Sequence, residues 1–459
     1  MFIGREAELA LLVQALTSRR PQFVRVLGRR RVGKTELLRQ ALAKAPGLLF
    51  YVPEADLPSI LGTLGDQMVS QTGGPPRPYR SFFDFLDHVQ EKAPRLVIFD
   101  EFQHLMELGK GVESELQRRW DLSWQRKGPH VVVCGSSIGM MQRLVSGRAP
   151  LYGRVSLHLQ LKPLTYVEAR RFHEGRPEEE RIRRYAVFGG IPFYQRESMG
   201  GSLEDGILRT LLIPQGSLLN EPEWVLGTEY REPRRYQSIL EQLSQGPQSL
   251  HALESKLGLA TGGLSWYVRS LEHDLDLIRH VEPVLGKKHL GRFEISDSFF
   301  RFYYRHILPK RNLIEMDRGA EAMADLLPQI ETFVGTTFEE IVHQTLWRAR
   351  EVKGLPNHPR QVGRWWSRLG EEVDAVCVSD NEVWVGEVKW GTKTVSDEVV
   401  AKLMEKASRL EMRGGRAIRP FIVTRGDLTS SARNLLERLG GFWLGMKDLQ
   451  QLMEEEQPR

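Results

Sequence analysis

The chain has 459 residues, of which 41% are hydrophobic and 27% are charged, and its formal net charge is +5. A chain of this length exceeds what one hydrophobic core organises, so we expect two to four domains. The composition is typical of a soluble globular protein, and no apolar run approaches the roughly 20 residues of a membrane span. The sequence therefore predicts no membrane-spanning helix. The mild positive charge is compatible with nucleic-acid binding without requiring it.

The start of the chain and its cysteines predict a cellular compartment. Charges at Arg5 and Glu6 fall where a signal peptide needs its apolar stretch. The two cysteines, Cys134 and Cys377, both lie in apolar, strand-like runs. We interpret them as small buried hydrophobic residues in a reducing environment, which predicts a cytoplasmic protein.

A glycine-rich loop occupies residues 28–35, which read Gly-Arg-Arg-Arg-Val-Gly-Lys-Thr. It follows a strand-like run at residues 23–27 and precedes a helical pattern, the order that a phosphate-binding loop requires. The glycines let backbone N–H groups face phosphates, and the helix N-terminus adds its dipole. We expect Lys34 to reach the β- and γ-phosphates of ATP and Thr35 to ligate Mg²⁺. The residues expected to contact the nucleotide here are Gly28, Arg31, Val32, Gly33, Lys34, Thr35 and Glu36.

Two further strand-like runs end in polar residues. The first is followed by Asp100 and Glu101. We expect Asp100 to hold Mg²⁺ and Glu101 to activate or orient the attacking water, whereas a simple helix cap is the alternative. The second run is followed by Ser136 and Ser137. A hydroxyl at this edge of a parallel sheet can sense the γ-phosphate, with Ser136 as the candidate, or can cap the next helix.

Several segments around these motifs resemble one family. The resemblance is to the archaeal-type ATPases of the AAA+/STAND group, which have many bacterial members. It rests on the two nucleotide motifs, on Gly135-Ser136-Ser137, and on residues 2–6, 150–154 and 189–192. It implies a P-loop AAA+ parallel sheet and a helical lid that contains residues 189–192.

The same resemblance implies further site residues. Gly4 and Arg5 would lie beside the adenine. Arg154 would be an arginine finger acting in a neighbouring subunit, which implies a homo-oligomer. Arg148 competes for this role, and an ordinary surface arginine is the alternative at both positions.

Residues 233–271 carry three short helical patterns, and a tight glycine turn separates the second from the third. This is a helix-turn-helix pattern. A hairpin over residues 278–295 would then supply a wing. We expect such a winged helix to contact DNA phosphates through Arg269, Lys287 and Lys288, or to serve as a protein-interaction module.

The sequence contains three Glu-x-Lys triplets, which begin at Glu254, Glu351 and Glu387. Random placement gives about this number, so the triplet alone identifies nothing. Glu254 falls in the second helix of the predicted winged helix, and Glu351 precedes a Gly-Leu-Pro loop. Only Glu387 lies in a strand-like run, which spans residues 383–390.

Another strand-like run, residues 372–378, precedes that strand, and the connection suits a two-residue turn at residues 380–381. This turn places Asp374 directly opposite Glu387, with Cβ atoms roughly 4.5–5.5 Å apart. Lys389 shares the same face of the sheet. Like charges directly opposite one another are unfavourable without a cation, which argues against a merely solvated pair.

Two carboxylates beside a lysine suit metal-dependent phosphodiester hydrolysis. Asp374 and Glu387 would hold Mg²⁺ or Mn²⁺, which makes a bound water more acidic. Lys389 would orient the nucleophile or neutralise developing charge. The arrangement resembles the PD-(D/E)XK, or restriction-endonuclease-like, fold.

That fold usually supplies another acid from a preceding helix. Residues 334–346 have helical spacing, and Glu339 flanks the inward face, whereas Glu340 is expected to point further outward. Arg364 would meet a phosphate or belong to a packed tryptophan segment. The sequence departs from the enzyme pattern at Val373, where proline often precedes the aspartate.

Together these features predict an α/β multidomain protein. Its expected domains are an ATPase core at 1–162, a helical lid at 163–228, a winged helix at 229–308 and a nuclease-like α/β domain at 309–459. The predicted function is ATP-hydrolysing DNA processing, with a metal-dependent endonuclease gated by the ATPase. A nucleotide-dependent DNA-binding switch without cleavage, or a signalling scaffold, is the alternative. ATP and Mg²⁺ are the expected cofactors, and DNA and further copies of the chain the expected partners.

Overall fold

The computed structural model describes residues 2–147, 149–230, 232–348, 359–410 and 416–455. The chain divides into two compact units. The first consists of Met1–Pro163, Ile191–Phe193 and His273–Leu275, and the second of Leu164–Gly190, Tyr194–Glu272 and Asp276–Arg459. None of the helices in the described ranges combines the length and apolarity that a membrane span needs.

The first unit is built on a sheet of five parallel strands. In spatial order they are β2, β3, β4, β1 and β5, with the bounds β1 (Phe23–Leu27), β2 (Leu48–Tyr51), β3 (Leu96–Asp100), β4 (His130–Gly135) and β5 (Leu157–Gln160). The helices are α1 (Glu6–Leu16), α2 (Lys34–Lys44), α3 (Leu57–Thr72), α4 (Phe82–Lys92), α5 (Gln103–Glu107), α6 (Lys110–Arg119), α7 (Gln125–Lys127) and α8 (Ile138–Arg143), with a π-helical turn at Trp120–Trp124.

The central strands of this sheet are apolar because both faces are covered. Every residue of β1, β3 and β4 is buried, as expected for strands inside a parallel sheet. Their positions agree with the strand-like runs in the sequence. Since the strands run parallel, the polar residues that follow β1, β3 and β4 meet at one edge of the sheet.

The second unit begins as a helical assembly and ends in a sheet. Its helices, with α11 shared between the two units, are α9 (Tyr166–Ala169), α10 (Glu178–Phe188), α11 (Pro192–Glu197), α12 (Leu203–Leu211), α13 (Glu221–Glu229), α14 (Pro233–Ser244), α15 (Leu250–Lys256), α16 (Ser265–His273), α17 (Ser298–Phe302), α18 (Arg311–Glu315), α19 (Gly319–Arg348), α20 (Asp397–Ala407), α21 (Ser430–Arg438) and α22 (Met446–Glu455). Short 3-10 turns lie at Arg170–His173, Lys288–Leu290 and Leu308–Lys310, and a π-helical turn at Tyr303–Ile307.

Helices α14 to α16 are followed by an antiparallel pair, β6 (Ile278–Val281) and β7 (Arg292–Ile295). Ser249 caps α15 by accepting the N–H of Ala252, because its hydroxyl satisfies an otherwise unpaired helix donor. The turn into α16 is held by Glu254, which is buried and accepts the N–H of Gly262 at 2.8 Å. The first Glu-x-Lys triplet therefore has a structural role.

The C-terminal sheet is mixed. Its strands are β8 (Gln361–Trp366), β9 (Glu372–Val378), β10 (Glu382–Lys389), β11 (Ala417–Thr424) and β12 (Phe442–Leu444). Strands β8, β9 and β10 are antiparallel neighbours, whereas β10, β11 and β12 run parallel. Val383 lies opposite Val378 and Gly386 opposite Ala375. This is the register that the two-residue turn predicts, and continuing it by one residue sets Asp374 opposite Glu387.

The loop between β6 and β7 packs against β8 in the second unit. The N–H of Val284 donates to the carbonyl oxygen of Arg364 at 2.8 Å, and the indole N–H of Trp366 donates to that of Leu290 at 2.9 Å. Val284 and Leu285 also pack on the apolar core of the C-terminal sheet. The predicted wing is thus anchored at its base, while Lys287 and Lys288 remain exposed.

Candidate nucleotide-binding and phosphodiester sites

The loop between β1 and α2 curls around the amine of Lys34. A Cβ at Gly28 would lie 2.6 Å from the carbonyl oxygen of Leu161, and Gly33 has a φ of +100°. Both positions therefore require glycine. The buried Lys34 Nζ donates to the carbonyl oxygens of Gly28 at 2.9 Å and Arg29 at 3.2 Å. Its amine is held in the curl of the loop, the place that suits a phosphate.

Thr35 and Asp100 meet across the edge of the sheet. The Thr35 hydroxyl donates to Oδ2 of the buried Asp100 at 2.8 Å. Asp100 also accepts the N–H of Glu101 through Oδ1 at 3.1 Å. A hydroxyl and a carboxylate are hard oxygen ligands of the kind Mg²⁺ takes beside a nucleotide. The residues present therefore fit ATP with Mg²⁺.

Glu101 follows β3 in a left-handed backbone conformation, with a φ of 57°. Its Oε2 accepts the hydroxyl of Ser136 at 2.8 Å, the N–H of Ser136 at 3.1 Å and the amide of Gln103 at 2.7 Å. Burial by itself raises the pKa of Glu101, but the charge of Lys34 and these hydrogen bonds outweigh burial and lower it. A strained non-glycine residue at a sheet edge is typical of functional sites. Ser136 thus binds the carboxylate instead of capping α8.

Gln103 was not among the residues singled out from the sequence. Its side-chain amide bridges Glu101 and Ser136, with the second bond at 3.1 Å to the Ser136 hydroxyl. A buried glutamine two positions after an acidic pair is a weak signal. Only the meeting of β3 and β4 shows what it binds.

Two other segments of the first unit reach the phosphate loop. Arg5 donates to the carbonyl oxygens of Val32 at 3.3 Å and Lys162 at 2.5 Å. The guanidinium of Arg31, whose φ is 67°, lies 4.2 Å from the ring centre of Phe193. The positions proposed for adenine contact and the Ile191–Phe193 segment therefore both adjoin the loop. Among the remaining sequence candidates, Gly4 has a φ of 72° and Glu36 accepts a bond from Gln40.

Arg154 is bound within its own chain. Its Nε and Nη2 each lie 2.8 Å from a carboxylate oxygen of Asp121, and Nη1 donates to the carbonyl oxygens of Pro150 and Tyr152. To act as an arginine finger on a neighbouring subunit, Arg154 would have to leave this bidentate ion pair with Asp121. Arg148 lies outside the described residues.

The predicted carboxyl pair and lysine meet on the C-terminal sheet. Nζ of Lys389 lies 2.6 Å from Oε1 of Glu387 and 3.9 Å from Oδ2 of Asp374. Lys406, on α20, places its Nζ 3.9 Å from Oε2 of Glu387. The N–H of Val388 donates to Oδ2 of Asp374 at 2.9 Å. Lys406 was missed from sequence because nothing local links α20 to β10.

Burial and mutual repulsion perturb the acids of this cluster. The pKa of Asp374 is raised to about 6 by burial and by the charge of Glu387. The pKa of Glu339, on α19, is raised to about 8 by burial and by the charge of Asp374. His343, one turn further along α19, faces the carbonyl oxygen of Asp374 at 2.7 Å through Nε2. Glu339 therefore belongs to the same electrostatic cluster as the pair.

The expectation that Glu340 points outward is wrong. Its carboxylate is buried and accepts from Arg301 at 2.8 Å and from Arg279 at 3.0 Å. Arg279 also pairs with Glu294, which pairs in turn with Arg364. The network explains the burial, because a carboxylate can leave water when cations replace its hydration. Arg364 is thus paired with Glu294 and would have to leave this ion pair to bind a phosphate.

The described residues include no group of three or more His, Cys, Asp or Glu that could hold a metal ion by themselves. A cation at the pair of Asp374 and Glu387 would therefore need water or substrate oxygens as well. Mg²⁺ commonly binds in this way, with one or two carboxylates, several waters and substrate phosphates. The donor set fits such a cation. The triplet at Glu351 lies outside the described residues.

Two family models match separate parts of the chain. Residues 66–195 match the family described as an ATPase domain predominantly from Archaea. Residues 303–402, which include Glu339, Asp374, Glu387 and Lys389, match a family of archaeal and bacterial proteins of unknown function. An uncharacterized protein of Methanocaldococcus jannaschii is 28% identical over 408 residues, which cover 88% of this chain and 90% of the relative.

A solved structure agrees with the fold. The Walker-type ATPase of Pyrococcus abyssi aligns with a TM-score of 0.50 and 21% identity, over 66% of this chain and 96% of that one. At this identity the likeness concerns the fold. The chain therefore combines a parallel sheet of the P-loop ATPase fold, carrying a Walker-type nucleotide-binding core, with a C-terminal domain built on a mixed sheet.

Proposed function

We propose that this protein is a cytoplasmic, ATP-hydrolysing DNA-processing enzyme whose C-terminal site cleaves phosphodiester bonds with Mg²⁺ or Mn²⁺ under control of the ATPase. The observation that carries the proposal is the convergence of Asp374, Glu387 and Lys389 on one face of β9 and β10. Structural ion pairs rarely bury two carboxylates side by side. The two charges repel each other, which raises the pKa of one carboxyl group and lowers the stability of the fold. A site that recruits a cation explains that cost.

ATP hydrolysis is assigned to the edge of the first sheet. Lys34 neutralises phosphate charge, and Thr35 and Asp100 are the oxygen ligands for Mg²⁺. The cation, when bound, neutralises charge that develops on the phosphates. Glu101 is ionised and accepts a proton from the attacking water once its carboxylate is aimed at that water. Gln103 and Ser136 hold the carboxylate until then.

Phosphodiester cleavage is assigned to the second site. Asp374 and Glu387 would hold the cation, which would supply a more acidic water and polarise the phosphate. Lys389 donates a hydrogen bond to the leaving or attacking oxygen and offsets its charge. Glu339, whose raised pKa keeps it protonated near neutral pH, would be ionised more easily beside a bound cation.

DNA is the proposed substrate because the site follows the predicted winged helix in the same unit. The exposed Arg269, Lys287 and Lys288 would bind phosphates at this module. We also propose that the protein is a homo-oligomer and that Arg154 leaves Asp121 to act as a finger on a neighbouring subunit.

The experiment is a cleavage assay on duplex, forked, branched and single-stranded DNA, with and without ATP and with Mg²⁺, Mn²⁺ or EDTA. Lys389→Ala and Asp374→Asn should each abolish nicking and leave ATP turnover unchanged. Lys402→Ala, on the exposed face of α20, is the matched lysine control and should keep full activity. If every DNA stays intact with both metals while ATP is hydrolysed, cleavage is refuted.

A nucleotide-dependent DNA-binding switch without cleavage is the second candidate. It is favoured by the two ammonium groups of Lys389 and Lys406, which already neutralise Glu387 without a metal. In that case DNA binding falls steeply with salt, because phosphate contacts release counterions. Binding would change with ATP, and Lys389→Ala would alter affinity without any cleavage to lose.

A further inference from the structure

Trp266 stands out on the helix that would read DNA. It lies in the first turn of α16, and 65% of its surface is exposed. A large aromatic side chain left in water at a helix N-terminal turn has no role in the core of the module, which Val268 and Leu271 of the same helix help to build. A ligand that covers the indole would explain this exposure.

The indole is supported by an aromatic base. Its ring centre lies 5.4 Å from that of Tyr267 and 6.3 Å from that of Tyr236, both in edge-on geometry. Tyr236 is buried and stacks on Tyr230 at 3.7 Å. Contacts with two rings limit the rotamers of the indole, so little entropy is lost when a ligand stacks on it.

Two arginines on α14 accompany this platform. Arg234 and Arg235, in the first turn of α14, are exposed, and the Arg235 guanidinium lies 5.3 Å from the ring centre of Tyr267. The two arginines line a groove of about 270 Å³ together with Ser238, Leu257 and Leu259. Glu254, the one acidic residue of α15, is turned inward to the backbone of Gly262. The platform and the groove thus offer an aromatic face beside positive charge.

We propose that this surface binds DNA whose bases are unpaired, with a base stacked on Trp266 and the flanking phosphates at Arg234 and Arg235. The inference rests on the proposed DNA function and defines its substrate class as single-stranded, forked or otherwise opened DNA. An intact duplex shows base edges in its grooves and keeps base faces hidden, so an indole gains little from it. An unpaired base presents a face, and stacking on an aromatic ring is the general mode of single-strand binding.

The test compares three DNAs of related sequence: a single strand, a fork and a blunt duplex. Fluorescence anisotropy with the full chain in EDTA measures affinity without cleavage. Trp266→Ala should weaken binding of the single strand and of the fork roughly tenfold, since stacking on one base accounts for about this factor. Binding of the duplex should weaken less than twofold. Trp266→Phe should recover most of the loss. Arg235→Ala should weaken binding of all three DNAs and make that binding less dependent on salt concentration, as expected for a phosphate contact.

A second measurement reports stacking directly. A single strand carrying 2-aminopurine should lose base fluorescence on binding to the wild type and keep it with Trp266→Ala. Trp347→Ala, which removes another largely exposed indole on α19, is the control and should change neither readout. If Trp266→Ala lost affinity equally for duplex and single strand, or lost none, the inference would be overturned while DNA binding stayed intact. No affinity for any of the three DNAs would instead remove the proposed DNA function itself.

Discussion

Ser136 binds the carboxylate of Glu101 twice, through its hydroxyl at 2.8 Å and through its backbone N–H at 3.1 Å. The two residues follow neighbouring parallel strands, β3 and β4, and meet at the edge where Thr35 and Asp100 also meet. The acid proposed to activate water is therefore anchored by the residue proposed to sense the nucleotide. This contact makes the two roles testable together.

Glu101→Gln should reduce ATP turnover at least a hundredfold, because an amide cannot accept the proton of the attacking water. The amide keeps the size of the side chain and one acceptor oxygen for Ser136. Binding of ATP should therefore remain within about twofold of the wild type. Phosphate release measures turnover, and a fluorescent ATP analogue measures binding. Turnover that survives this substitution would remove Glu101 from the reaction.

Ser136→Ala should shift the pH dependence of ATP turnover. The Ser136 hydroxyl lowers the pKa of Glu101, so its removal raises that pKa toward the ordinary value. The acid limb of the turnover profile, where Glu101 becomes protonated, should then move to higher pH. Ser137→Ala is the matched control and should leave the limb where it is. An unshifted limb in Ser136→Ala would show that Glu101 does not govern it.

Thr35→Ala should raise the Mg²⁺ concentration needed for half-maximal turnover by roughly tenfold or more. The substitution removes one of two oxygen ligands and leaves the buried Asp100 without its 2.8 Å hydrogen bond. Thr35→Ser keeps the hydroxyl and should stay close to wild type. A Mg²⁺ titration of ATP turnover distinguishes the two variants, and an unchanged half-saturation in Thr35→Ala would contradict the assignment.

Glu339→Gln should flatten the pH dependence of stability in the absence of divalent cations. The folded-state pKa of Glu339 is raised to about 8, so between roughly pH 4.5 and 8 the folded chain keeps a proton that the unfolded chain has released. The free energy of unfolding therefore falls as pH rises through this window. The variant should match wild type near pH 5 and melt a few degrees higher at pH 9. Thermal unfolding at both pH values is the measurement.

Glu340→Gln, one residue further along α19, should act in the opposite direction. Its carboxylate has a pKa lowered to about 2: burial opposes ionisation, but Arg301 and Arg279 outweigh it. Removing that charge leaves the buried Arg301 without its carboxylate partner, which costs roughly 3–5 kcal/mol. Urea unfolding at pH 7 should show this loss. A variant as stable as wild type would mean that the network contributes specificity of packing and not stability.

Much of the local structure was predictable because it depends on neighbours in sequence. The apolar run before Gly28 is strand β1, and the glycines themselves indicate the loop. The turn at residues 380–381 predicts the pairing that brings Asp374 and Glu387 together, since a two-residue turn leaves one register. Glu339 could be chosen as the further acid because helical spacing also depends on near neighbours in sequence.

The errors and omissions share another origin. Glu340 was expected in solvent because its partners, Arg301 and Arg279, lie 39 and 61 residues away. The contacts of Gln103 with Ser136, of Lys406 with Glu387 and of Arg154 with Asp121 were not predicted for the same reason. Helical spacing tells which residues share a face, but it does not tell what that face meets.

The amino-acid sequence by itself determined the strands, the phosphate loop and the hairpin register, because steric preference and turn length act between near neighbours. Only the tertiary structure decided which side chains hold Glu101, which cations bury Glu340 and how the loop between β6 and β7 joins β8. Those contacts depend on which distant segments pack together. Ion pairs and hydrogen bonds form wherever packing brings complementary groups within reach, whatever their separation along the chain.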